Sequence, residues 1–157
     1  MQVTIIPMFD LMLKLRMINT YWALILPVIP SAYSTFLLIQ YITTIPDELI
    51  EAANIDGWND WLIYRSLILP LSKPALVTIA MLSFVGNWNS FMWPLIVTSR
   101  QQLYTLPLGL MNFKQQHSAQ WGNLMAGATI AIIPVIIVFL FAQKYIIEGI
   151  AVSGLKA

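Results

Sequence analysis

Cysteine is absent from all 157 residues, which excludes disulfides and thiolate metal sites. Histidine occurs once, at His117, with no second histidine and no carboxylate near it in the chain, so no metal site is expected there. Charge is scarce: 10% of residues carry it, against about 25% in average soluble domains. The net charge is +1 and no strongly basic face is visible, which leaves nothing for nucleic acid to bind. A GxxxxGK[ST] phosphate loop is missing, so nucleotide hydrolysis is not expected on this chain. The opening MQVTIIPMFDLMLKLR has no positive charge before its apolar run and no small-residue cleavage site after it, so it does not read as a signal peptide.

What the chain has is apolar surface, 59% of its residues, gathered in long blocks. That pattern predicts an all-α membrane protein rather than a soluble domain with a large core. About 20 apolar residues cross a bilayer. Residues 21–41, 75–98 and 124–143 each meet that length without an Asp, Glu, Lys, Arg or His. Residues 1–13 are too short to span alone and carry Asp10; they read as the end of a truncated helix or as a short interfacial helix. Pro27, Pro30, Pro94 and Pro134 punctuate the spans, either shaping them or serving as hinges. Such breaks are tolerated when neighbouring groups satisfy the freed backbone. Gly122, Ala126, Gly127 and Ala131 offer spacings for close helix packing. Trp22, Trp88, Trp93 and Trp121 fall near span ends, where an aromatic belt accounts for most of them. Basic residues do not orient the chain: Lys14, Arg16, Arg100 and Lys114 lie on one side, Arg65, Lys73, Lys144 and Lys156 on the other.

Between the first two spans the chemistry changes. Residues 43–75 hold five of the seven acidic residues, against Arg65 and Lys73. Pro46 suits the first turn of a helix, with Asp47 and Glu48 near its positive end. Ile45, Leu49, Ala52 and Ala53 should share an apolar face, with Asp47, Glu51 and Asn54 on another. Gly57 comes where the helix should stop in the left-handed conformation. Asn59 can cap a second helix through Trp61, Leu62 and Arg65 to Leu69, with Pro70 ending it. Ser72 then offers a cap to the next helix, with Pro74 in its first turn. Charges that keep a loop wet would explain Asp47 and Glu48, but explain poorly so ordered an element.

The pattern Glu51-Ala52-Ala53, three residues, Gly57, nine residues, Leu67-x-Leu69-Pro70 resembles the EAA loop of binding-protein-dependent ABC importer permeases. Leu67 stands where the family usually has Ile, and Asp56 before Gly57 is typical. INTYWALILP, GNWNSFMWPLIV, LYTLPLGL, WGNLMAGA and the ending QKYIIEGIAVSGLKA look like the maltose-type, carbohydrate-uptake class. Members usually have six membrane helices. The resemblance implies that this chain holds the end of the third and all of the last three, as a truncated frame, a partial sequence or half of a split subunit.

The resemblance further implies a cytoplasmic coupling element at 44–73 that docks on a separate ATP-hydrolysing subunit, and an external loop at 100–122. The expected ATPase-coupling residues are Glu51, Ala52, Ala53, Asp56, Gly57, Leu67, Leu69 and Pro70. Asn87, Trp88 and Asn89 are candidates to line the solute pathway. Asn112, Phe113 and His117 are candidates to meet an extracellular or periplasmic solute-binding protein. The expected partners are ABC ATPase subunits, a second permease subunit, that binding protein and membrane lipid. ATP and Mg are expected on the ATPase, and no cofactor on this chain. The location implied is a bacterial or archaeal cytoplasmic membrane. The competing reading is a non-transporting membrane remnant or assembly partner.

Overall fold

The computed structural model describes residues 2–116 and 121–154, with side chains described over 3–111 and 121–144. Among the described residues every regular element is helical. In chain order the α-helices are α1 (Ile5–Lys14), α2 (Tyr21–Ile25), α3 (Ala32–Ile42), α4 (Asp47–Ile55), α5 (Asp60–Ile63), α6 (Leu69–Leu71), α7 (Lys73–Trp88), α8 (Met92–Val97), α9 (Leu106–Gln116) and α10 (Trp121–Gly154). Two stretches, Tyr21–Ile42 and Trp121–Lys144, are long and apolar enough to cross a membrane, and a third counts if Asp60–Leu71 and Lys73–Trp88 form one broken span. The chain divides into two compact units: Met1–Pro30 with Phe84–Ile137, and Ser31–Ser83 with Val138–Ala157.

In the first unit, proline decides where helices stop and which side chains repair them. Pro27 has no N–H to give the carbonyl of Ala23, a residue with no exposed surface. The indole of Trp93, 70 residues away in sequence, donates to that carbonyl at 2.9 Å. Helix α2 passes into a 3₁₀ turn at Leu26–Val28; α3, which belongs to the second unit, starts afresh with Ser31 Oγ accepting from the Ser34 amide at 3.2 Å.

The stretch 75–98, expected as one helix, is two. Helix α7 ends at Trp88 and α8 begins at Met92. Asn89 draws the chain in, its amide and its Nδ2 both donating to the Val85 carbonyl at 3.2 and 2.8 Å. Had α7 continued, the Pro94 ring would have met the Ser90 carbonyl. In α8 Pro94 sits in the first turn, where its missing donor is not needed. The break is held from α10: Trp88 stacks on Phe84 at 5.5 Å and its indole donates to the Ala131 carbonyl at 3.0 Å, one turn before Pro134. Helix α10 runs unbroken through Pro134 and contains the expected span 124–143.

Asn19 ties α8 to the connection before α2. It adopts a left-handed φ of 61°, which Asn tolerates better than most residues. Its amide donates to the Val97 carbonyl at 3.0 Å, and its Oδ1 accepts from the Ser99 amide at 2.5 Å. Within 100–122, expected as an external loop, the described residues include a 3₁₀ turn at Gln101–Leu103 that leads into α9. Leu110 of α9 occupies the space a Cβ on Gly127 would fill, which places one of the small residues of α10 at a close helix contact.

Candidate functional site

The acidic element between α3 and α7 belongs to the second unit. Asp47 and Glu48 fill the first turn of α4, beside its positive end. The helix closes through Gly57, whose φ of +77° a side-chain-bearing residue adopts only at a cost. The Gly57 amide donates to Asn54 and the Trp58 amide to Ala53, both at 3.0 Å. This reciprocal pair is the Schellman closure, which satisfies carbonyls that a helix end otherwise leaves open. Asn59 then caps the second helix as expected, its Oδ1 accepting from the Leu62 amide at 2.8 Å.

The second helix departs from expectation at its far end. Pro70 does not end it; α5, a π-helical turn at Tyr64–Ile68 and α6 run on to Leu71. The Leu69 amide donates to Tyr64, five residues back. A proline ring collides with the carbonyl four residues before it, here Ser66, and the wider π winding relieves that collision. The chain then bends by 67° between Asp60–Leu71 and Lys73–Trp88. Ser72 sits at the bend, 2% exposed. Its carbonyl accepts from the Leu76 amide at 3.0 Å, but its hydroxyl, expected to cap α7, has no partner.

The expected coupling residues do not all face outward. Ala53 is 7% exposed and packs into its own chain, whereas Ala52 is exposed. Helical phase sets Ile55 opposite Ala53, while Leu49, one turn before Ala53, and Ala52 keep exposed surface beside it. Glu51 and Asp56 are exposed on either side of them, and Ile55, 86% exposed, extends the row. The surface is therefore an apolar strip of Leu49, Ala52 and Ile55, with Glu48, Glu51 and Asp56 around it. Ile55 was missed by the reading of the sequence; its signal is an isoleucine between Asn54 and Asp56. Leu67 is half-buried within the π turn, while Leu69 and Pro70 are exposed.

Asn87, Trp88 and Asn89 come together at the end of α7. Asn87 and Asn89 are exposed, but the Trp88 indole and the Asn89 amide group are committed to backbone carbonyls. Asn112 and Phe113 lie on α9, with side chains outside the described set, and His117 lies outside the described residues.

Among known proteins, the chain is similar to an arabinooligosaccharides transport system permease protein, AraQ, of Halalkalibacterium halodurans. The two are 39% identical over 155 residues, covering 99% of this chain and 56% of the relative. It is 42% identical over 159 residues to the probable ABC transporter permease protein YurM of Bacillus subtilis, covering 99% of this chain and 52% of that one. It is 35% identical over 154 residues to the sn-glycerol-3-phosphate transport system permease protein UgpE of Salmonella typhi, covering 97% of this chain and 55% of that one. The chain thus spans about half the length of the curated relatives it matches. The family model for the inner membrane component of binding-protein-dependent transport systems matches residues 1–152, and to that family this chain belongs.

Proposed function

We propose that this chain supplies helices of the permease subunit of an ABC importer, and that α4 is the surface on which an ATP-hydrolysing partner acts. The observation that carries the reading is the exposed row Leu49, Ala52, Ile55 with its surrounding acids, presented by a helix closed at Gly57. Short side chains at its centre allow close approach, and Glu51 offers a charge to a basic group in the partner's cleft. ATP and Mg belong to that partner, and this chain is a transport subunit rather than an enzyme. The names of the relatives support a sugar or sugar-like solute, with specificity set largely by a solute-binding protein. A second permease subunit completes the pathway, and the membrane is the cytoplasmic one, with α4 on its cytoplasmic side.

Glu51→Lys and Gly57→Val in the complete permease test the surface. Reversing Glu51 turns an attraction into a repulsion, which at an interface costs several kcal/mol. Valine at position 57 resists the positive φ and distorts the closure of α4. Both variants are expected to insert in the membrane, lose most co-purifying ATPase and lose uptake. Normal co-purification and normal uptake in both would end the assignment of α4.

A further inference from the structure

The helix after Gly57 carries an aromatic pair that the coupling surface does not use. Trp61 and Tyr64 lie one turn apart with ring centroids 5.7 Å from one another, and they are 67% and 48% exposed. Arg65, four residues after Trp61, is exposed on the same side. Leu62, Leu69 and Leu71 add apolar surface, each about two-fifths exposed. Within Asp60–Leu71 only Ile63 is buried.

This helix is too short to cross a bilayer, at about 18 Å for its twelve residues. It is too exposed to be a core helix. It joins the apolar helix α7 at a bend of 67°. With α7 standing along the bilayer normal, Asp60–Leu71 runs nearer the membrane plane than the normal. Rings with one polar edge, a cation beside them and leucines along the same helix are the composition of an interfacial segment. Apart from Asp60 at its first residue, the acids nearby stand before Gly57, with Asp47, Glu48, Glu51 and Asp56 on α4 and its end. Anionic headgroups therefore attract the side bearing Arg65 and repel α4.

We propose that Trp61, Tyr64 and Arg65 seat the Asp60–Leu71 helix in the headgroup layer of the phospholipid bilayer. The two rings lie at the boundary of headgroup and acyl chain, and Arg65 meets lipid phosphate. The element then has two separate faces, with α4 left in water for a protein partner. The lipid contact does not depend on which partner α4 meets or on which side of the membrane the element lies.

This chain has no cysteine, so a single spin label can be placed in it once any cysteine in the rest of the permease is replaced. We would label Ser66→Cys, exposed beside the pair and leaving both rings intact, in the complete permease with a cysteine-free ATPase. Nanodiscs of phosphatidylcholine and phosphatidylglycerol, calibrated with lipids labelled at known depths, give position from the accessibility of oxygen relative to a nickel chelate. A headgroup-to-upper-acyl depth is expected, unchanged when the ATPase is removed. Trp61→Ala with Tyr64→Ala should raise nickel accessibility several-fold, and Trp61→Tyr with Tyr64→Trp should restore the original value. A label at Tyr64→Cys, with Trp61 kept, should report the same depth as Ser66→Cys. Water-like accessibility at both sites overturns the proposal. So does exclusion of both reagents with an immobilised spectrum, because another subunit then covers this face.

Discussion

A tryptophan near a span end can serve an interfacial belt, where its ring must be exposed, or can turn its indole N–H to the backbone of another helix. Trp22 and Trp121 are about three-fifths exposed and suit such a belt, whereas Trp88 and Trp93 give their indole N–H groups to carbonyls of other helices. Trp93 matters most, since Pro27 has removed the ordinary partner of a buried carbonyl. Trp93→Phe should destabilise the complete permease by about 1–3 kcal/mol, the cost of leaving such a group unsatisfied. Pro27→Ala returns an amide to the helix, so the same substitution should cost less than half as much in that background. Unfolding in mixed micelles followed by circular dichroism reads both values. Equal penalties in the two backgrounds would show that Trp93 acts by packing alone. The sequence offered no way to pair residues 23 and 93, because nothing local records which carbonyl a distant indole reaches.

At the scale of the element, the acidic helix-turn-helix was legible because its rules are local. Gly57 as the left-handed stop and Asn59 as the cap follow from residue type and position. Asn59→Ala should therefore weaken the second helix by about 0.5–2 kcal/mol, and Asn59→Asp should restore it. Hydrogen exchange at the Leu62 amide is the direct measure. No change in protection there would mean that the cap is carried by something other than the Asn59 side chain. What local rules left open was phase and relief of strain. Whether Ala53 or Ile55 faces outward depends on what lies beneath α4, and the π turn depends on how the helix meets Pro70. The break after Trp88 had its causes in plain view, Asn89 and Pro94, but a run of apolar residues hides a change of axis.

For the molecule as a whole, long uncharged blocks made the all-helical class legible, while the helix count depends on how one bent pair is read. Transport belongs to an assembly under the proposed function: the chain covers 56% of AraQ of Halalkalibacterium halodurans and has no phosphate loop. Purified alone into vesicles, it should move no sugar with or without ATP, and ATP-dependent uptake by the pure chain would refute that division of labour. In the complete importer, deleting residues 113–119 should lower the ATPase stimulation given by the binding protein while assembly survives. Unchanged stimulation would make this stretch a plain connector between α9 and α10.

The angle at Ser72 has a mechanical consequence. A push delivered along the Asp60–Leu71 helix reaches α7 at 67°, so less than half of it is directed along the axis of α7 and most is directed across it. Under the proposed function the joint favours leaning over sliding: a stroke from the α4 side would swing the near end of α7 sideways, with whatever holds its far end as the fulcrum. That far end is where the Trp88 indole grips the backbone of α10.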